Sequence, residues 1–332
     1  MSEPTLDIVA IGNAIVDVIA QADENFIAAE GLEKGAMQLL FTTEDAEALY
    51  AKMGPGVEAS GGSAANTVAG VGALGGSTGF IGQVADDELG KVFKHDITAL
   101  GVKFDTPMRV GEPATARCLI LVTPDGERTM NTFLGAAQHL HVSDLDSDLI
   151  ESAAILYLEG YLWDPEDPRA AMEKAIDIAH TAGRRVAFTL SDGFCVDRHR
   201  GDFLRLLDEG RIDILFANED EIKSLHETND FDAAVAATAA KTPLLVVTRS
   251  EKGAIAVQDG ERTSVAAEPI DRIVDATGAG DQFAAGFLVG QTEGRSIQDS
   301  LVMGAVCAAE VIQHYGPRPE HDMKALIKAR LG

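Results

Sequence analysis

An α/β fold, with a largely parallel central sheet flanked by helices and a small β-sheet standing off it as a lid, is predicted by three features of this chain. Short apolar runs alternate with segments of helical period along most of its length. The runs are nearly continuous in apolar residues, as in parallel strands buried on both faces. Two stretches rich in β-formers have no helix between them, which sets them apart from the alternating core.

The first run, Leu6-Asp7-Ile8-Val9-Ala10-Ile11-Gly12, reads as a buried strand ended by glycine. Strands of the same kind are expected over 78–84, 153–158, 185–190, 212–217 and 243–248. Helical period fills the intervals, over 64–74, 88–100, 168–182, 202–207, 220–226 and 231–240. Residues 13–20 continue as a strand past Gly12, and 115–123 and 127–133 flank the turn signal Pro124-Asp125-Gly126. Paired antiparallel, these pieces would form a lid of the kind that keeps water from a transferring group. The pattern alone fits an ordinary edge hairpin equally well. The expected organisation is one unit over 1–332, its lid drawn from about 13–48 and 103–134; Met53-Gly54-Pro55-Gly56 is too short to separate domains.

With 332 residues, 46% of them apolar, the chain can bury a large core. A formal net charge of −26 argues against nucleic acid and anionic membranes as partners, because no basic stripe is present to displace counterions. No apolar run approaches the roughly 18 residues of a membrane span. The first residues, with Glu3, Pro4 and Asp7, lack the basic and apolar regions of a signal peptide, so a cytoplasmic location is expected. Cys118, Cys195 and Cys307 lie far apart and read as structural thiols of a reducing compartment.

The segment Asp275-Ala276-Thr277-Gly278-Ala279-Gly280-Asp281 precedes an apolar helical run. Small residues at a helix start leave N–H groups able to bind an anion, since the first turn has no internal acceptors for them. An aspartate beside that nest suits a base that aligns a hydroxyl for attack on a phosphoryl group. Taken alone, the segment fits better a close-packed helix start in which Asp281 counters the dipole; the rest of the chain reverses that balance. A second glycine cluster, Ser60-Gly61-Gly62-Ser63-Ala64-Ala65-Asn66, opens another helix, as a structural turn or as a place where a polyol meets the backbone and Asn66. Asn13 and Asp17, four apart in an expected strand, share a face, where Asp17 could accept two vicinal hydroxyls or simply be solvated. Asn218 and Glu221, at i and i+3 after an apolar strand, suit either hydrated magnesium or helix capping.

Taken together, G-N-A-I-V-D at 12–17, S-G-G-S-A-A-N at 60–66, F-I-G-Q-V-A-D-D-E-L-G at 80–90, N-E-D-E at 218–221 and D-A-T-G-A-G-D at 275–281 resemble the ribokinase, or PfkB, family of carbohydrate and nucleoside kinases. The resemblance spans essentially the whole chain and implies a ribokinase-like fold. It assigns Asp281 as the catalytic base and the N–H groups of Gly278, Ala279 and Gly280 as the anion hole. Asn13, Asp17, Gly61, Gly62 and Asn66 match positions that hold the acceptor's hydroxyls, and Asn218 and Glu221 match an N-x-x-E motif organising magnesium through water. Thr248-Arg249-Ser250-Glu251-Lys252-Gly253 matches the loop along ATP, with Ser250 in place of its usual first glycine.

Within the family the chain looks most like bacterial adenosine kinases, through Asn13, Asp17, Gln38 and the lid segment Arg128-Thr129-Met130-Asn131-Thr132, where Arg128 resembles an arginine that reaches the phosphates. Eukaryotic members usually carry asparagine where this chain has Thr277. The resemblance implies ATP and Mg2+ as cofactors, with K+ as a candidate activator, and a monomer or a homodimer. The expected reaction is γ-phosphoryl transfer to the 5′-hydroxyl of a nucleoside, most simply adenosine to AMP. Asp281 is expected to stay ionised, its pKa lowered by the helix dipole. The alternatives are a sugar kinase of the same fold, acting on ribose, fructose or a keto-deoxy sugar acid, and a non-catalytic nucleotide sensor. An apolar cleft using Tyr161 or Trp163 would favour the nucleoside. A dinucleotide-binding dehydrogenase lacks support, because the first strand has no G-x-G-x-x-G turn.

Overall fold

The computed structural model describes residues 3–332. In chain order its strands are β1 (Leu6–Ile11), β2 (Ile15–Gln21), β3 (Met37–Leu40), β4 (Gly56–Gly61), β5 (Thr78–Ile81), β6 (Ala116–Val122), β7 (Arg128–Phe133), β8 (Ala153–Glu159), β9 (Arg185–Thr189), β10 (Ile214–Asn218), β11 (Leu244–Thr248), β12 (Ala254–Gln258) and β13 (Glu261–Val265). Eight of them form the central sheet, in the order β13-β12-β11-β10-β9-β8-β1-β5. From β5 to β11 every pairing is parallel, and all six expected core strands are present. The strands are apolar throughout because both faces are covered. Ile8, Ala10, Ile155, Tyr157, Ile214 and Phe216 join one hydrophobic cluster, while Val9, Ile11, Leu156, Leu158, Leu215 and Ala217 join another on the opposite side.

Helices Ser63–Ala73, Ala279–Thr292 and Ile297–Val311 cover the first side, and Glu166–Thr181, Gly193–Asp208, Glu219–Leu225 and Phe231–Ala239 cover the second. Gly193–Asp208 begins well before the expected 202–207, because Asp192 caps it by accepting from the Cys195 N–H at 2.6 Å. The antiparallel hairpin β12–β13 is an addition to the expected pattern. Its turn, Asp259-Gly260, has both residues at positive φ, 52° and 78°.

A second, five-stranded sheet has the order β3-β7-β6-β2-β4. It is mixed rather than antiparallel as expected: β2 with β6 and β3 with β7 run parallel, since long excursions separate them in the chain. β4 joins this sheet from beyond the expected 13–48 segment. Alternation along β2 sends Val16 and Val18 into the buried cluster and leaves Ile15 and Asp17 on the other face. No helix among the described residues is long and apolar enough to cross a membrane. All three cysteines are buried and free.

Trp163 lies within the second cluster, its ring 5.9 Å from those of Phe188 and Phe203, with Nε1 donating to Asp202 Oδ2 at 3.2 Å. It is wholly buried and does not line the cleft described below, which corrects its expected place beside a purine. Trp163→Ala should cost about 3–5 kcal/mol of stability. Chemical denaturation would show that loss, and the folded fraction should keep a normal acceptor KM.

Candidate active site

A cavity of about 420 Å³ opens at the carboxyl ends of the parallel strands, between the two sheets. It gathers Asp17, Gly62 and Asn66, Asn218, Glu221 and Thr248, and Gly278, Ala279, Gly280 and Asp281 from segments far apart in the chain.

The Asp275–Asp281 turn has the backbone geometry that an anion site needs. Gly278 is the N-cap of helix Ala279–Thr292 at φ 77°, a left-handed conformation that L side chains avoid. A Cβ there would also lie 2.6 Å from Pro317 Cβ and 2.7 Å from its Cα. Asp275 fixes the approach to the turn, with Oδ1 accepting from Thr277 N–H and Oδ2 from Gly316 N–H, both at 3.0 Å. The Ala279 N–H is turned to Ala276 O at 3.2 Å, so the amides of Gly280 and Asp281 complete the first turn's outward donors.

Asp281 sits at the bottom of this turn, accepting from Ser63 Oγ at 2.6 Å. Burial pushes its pKa up to about 7; Glu159 and Asp17 add to the rise, and hydrogen bonds from Ser63 and Asn66 oppose it. This overturns the expected lowering. The helix terminus contributes about 0.3–1 kcal/mol, less than one pKa unit, and desolvation beside other carboxylates outweighs it. A base near neutrality is well matched to accepting a proton from a hydroxyl.

On the acceptor side, Asp17 faces the cavity with its pKa raised to about 6 by burial, the nearby Arg318 and Arg128 holding it from going higher. Gly61 lies against that carboxylate, which occupies the place of its missing Cβ. Gly62, at φ 98°, likewise meets the backbone oxygen of Asn13. Asn13 does not line the cavity. The chain turns between β1 and β2, and the Asn13 N–H and Nδ2 both donate to Glu159 Oε1, at 2.7 and 2.8 Å. Glu159 Oε2 accepts from Ala64 N–H at 2.7 Å, so this buried carboxylate ties the first glycine turn to the second. Gln38 is in β3, outside the cavity lining, and donates to Asn131 Oδ1 at 2.6 Å.

Asn218 and Glu221 form a capping box: Asn218 Oδ1 accepts from the Asp220 and Glu221 N–H groups, and Glu221 accepts from Asn218 N–H at 3.0 Å and Nδ2 at 2.6 Å. Glu221 is buried, and its pKa rises to about 7, chiefly through burial, with Asp192 and Asp220 adding to the rise. Thr248 ends β11 at the cavity wall. Arg249 turns away, donating to Glu219 Oε2 at 2.8 Å and stacking 3.9 Å from the centroid of Phe231. Ser250 has φ 49°, the left-handed region that a glycine there would enter without strain. Gly253, at φ 84°, closes the turn where a Cβ would strike Val265 O. Arg128 is not free in the cavity: its Nη1 pairs with Asp275 Oδ2, joining the second sheet to the anion turn. Tyr161 does line the cavity, its hydroxyl donating to Ser191 O at 3.2 Å.

Ser63, Glu159, Asp275 and Arg318 were not singled out from the sequence. Ser63 lies inside the second glycine motif, and Asp275 opens the closing one, so both were within reach. Glu159 and Arg318 carry no local signal.

Asp17, Glu221 and Asp281 share an upward shift, so in the unfolded chain they release protons near pH 4 and in the native state nearer 6–7. Between those limits the native state binds more protons, and their contribution to stability falls as pH rises. Asp281→Asn should therefore raise the melting temperature by a few degrees at pH 8 and leave it nearly unchanged at pH 5. Calorimetry at the two pH values checks this.

A cleft of this construction at a parallel sheet's carboxyl edge is that of an α/β phosphotransferase. The chain belongs to the pfkB family of carbohydrate kinases, whose description matches residues 6–323. ATP as phosphoryl donor follows from that membership. The structure of adenosine kinase from Sinorhizobium meliloti is 48% identical, with 98% of this chain and 99% of that one covered and a TM-score of 0.89. A probable sugar kinase from Rhizobium etli CFN 42 is 47% identical, with the same coverage and a TM-score of 0.90. A fructokinase of Salmonella typhimurium is 26% identical over 263 residues, 76% of this chain and 85% of its own length.

Proposed function

We propose that this kinase phosphorylates the 5′-hydroxyl of a nucleoside, with adenosine as acceptor and AMP as product. The observation that carries the reading is the wall of the cavity formed by the second sheet. Its residues are Ile15, Asp17, Cys118, Ile120, Met130 and Thr132, a single carboxylate among mainly apolar side chains. Asp17 suits a ribose diol, and the apolar remainder, with Tyr161, Phe216 and Phe283 elsewhere in the lining, suits a base that buries its faces. No lysine or arginine is among the lining residues, which disfavours a sugar acid. The likeness to the S. meliloti adenosine kinase supports the same choice.

In this mechanism the 5′-oxygen attacks the γ-phosphorus as the bond to the ADP oxygen breaks, and the hydroxyl proton passes to Asp281. The first-turn amides of Gly278, Gly280 and Asp281 stabilise charge on the equatorial oxygens, the Ala279 N–H being held by Ala276 O. Glu221, a buried carboxylate crowded by other acids, fits a cation, and with Asn218 it would hold magnesium through water; the ion would neutralise phosphate charge. The second sheet acts as the lid that excludes water, and Arg128 would exchange Asp275 for a phosphate oxygen. The test is ADP release with ATP and magnesium against adenosine, inosine, guanosine, cytidine, ribose, fructose and keto-deoxygluconate. Micromolar turnover of adenosine supports the reading; turnover only of a sugar keeps the chemistry and replaces the acceptor.

A further inference from the structure

The segment after helix Ile297–Val311 returns to the active site and is pinned on both sides of one arginine. Gly316 N–H donates to Asp275 Oδ2 at 3.0 Å and Gln282 Nε2 to Pro317 O at 2.9 Å. Beyond it, the N–H groups of Glu320 and His321 donate to Glu310 Oε1, each at 3.0 Å. Arg318 is thereby delivered to the acceptor side of the cleft. Its Nη1 donates to Asp96 Oδ2 at 3.0 Å, Nη2 to Ser60 Oγ at 2.7 Å and to Ser60 O, and Nε to Asn66 Oδ1 at 3.4 Å. Asp96 Oδ2 also accepts from Ser60 N–H and Oγ, at 2.8 and 2.6 Å.

Tying the chain together would need only the Asp96 and Ser60 contacts. The contact to Asn66 does something else. Asn66 is buried and borders the cavity, and an amide whose oxygen faces a guanidinium must turn its NH2 the other way. That other way is towards Asp281, whose carboxylate Asn66 stabilises. Arg318 is also the foremost positive influence on Asp17.

Resting on the acceptor reading above, we propose that Arg318 is a positioning residue for phosphoryl transfer: it sets the Asn66 amide so that it faces Asp281 and the acceptor, and it holds Asp17 ready to accept the acceptor's hydroxyls. It touches neither reacting atom, and it acts through Asn66 and through its charge. Around Asp17 the titratable and charged neighbours are Arg318, Arg128, Cys118 and Asp281. Around Asp281 they are Glu159, Asp17, Tyr157 and Tyr161. Removing Arg318 takes the foremost cation from Asp17 and frees the Asn66 amide that hydrogen-bonds Asp281, so both carboxylates should ionise at higher pH.

The test uses the full-length Arg318→Met and Arg318→Lys proteins with the acceptor that turns over best in the panel above. For Arg318→Met the acceptor KM should rise about tenfold or more with the ATP KM unchanged, and the acid limb of kcat/KM should move up by roughly one pH unit. Guanidinium chloride at millimolar concentration should recover part of the lost acceptor affinity in Arg318→Met and none in the parent. Arg318→Lys keeps the charge but not the fork, and should restore the acid limb while the acceptor KM stays high. A lower melting temperature with an unchanged acceptor KM and acid limb would make Arg318 a structural tie and overturn the proposal. If Arg318→Met does not fold, a normal acceptor KM in Arg318→Lys does the same. Should the panel identify a sugar, the nucleoside reading fails, while these readouts still decide the role of Arg318 with that sugar.

Discussion

Asp281→Asn lowers kcat by at least about 10² and leaves acceptor affinity nearly unchanged. The substitution keeps the size of the side chain and one oxygen to accept from Ser63 Oγ, so the cleft retains its shape. On the proposed mechanism it removes the group that takes the hydroxyl proton. Because burial pushes the Asp281 carboxyl up to about 7, the parent enzyme should also lose kcat/KM as pH falls below neutrality, whereas the variant should lose it only lower down, where Asp17 titrates. Steady-state kinetics with calorimetric acceptor binding separates the two quantities. Turnover at the parent rate would remove Asp281 from the mechanism.

Gly278→Val lowers kcat/KM by about 10²–10³, the range for losing a donor to developing negative charge. Two independent effects act there. A β-branched residue at φ 77° is strained, and its Cβ would collide with Pro317. Either relief, rotation of the turn or retreat of Pro317, misaligns the amides of the first helical turn and disturbs the segment that carries Arg318. Gly280→Ala provides the contrast, since a Cβ there meets nothing within 4 Å of the protein. Its melting temperature should match the parent's, whereas that of Gly278→Val should fall.

The core strands were legible because a strand buried on both faces must be apolar throughout, and Leu6–Ile11 or Leu244–Thr248 show this without any tertiary information. The β12–β13 hairpin escaped because Glu261-Arg262-Thr263-Ser264-Val265 is a polar edge strand with no apolar periodicity, although Asp259-Gly260 is a turn signal. The anion turn was visible as a motif, since its glycines answer to local backbone demands at Gly278. The ionisation of Asp281 was not. A dipole argument needs only a helix start, but burial and the neighbouring Glu159 and Asp17 are known only once segments far apart in the chain have met. Asn13 shows the limit of alternation. Four residues from Asp17 in a continuous strand, it would share its face, yet the chain turns between β1 and β2 and hands its side chain to Glu159. The Asn218–Glu221 pair satisfied its capping reading, and it lines the cavity as well. In this case the two readings were never exclusive.

On the proposed reading this cleft transfers phosphate to a nucleoside rather than to a free sugar. One reaction tests it most directly: equimolar adenosine, ribose and fructose at micromolar concentration with limiting ATP and magnesium, the phosphorylated products identified by mass spectrometry. AMP is expected in large excess, formed in step with ADP and absent with Asp281→Asn. Ribose or fructose phosphate as the main product would contradict it.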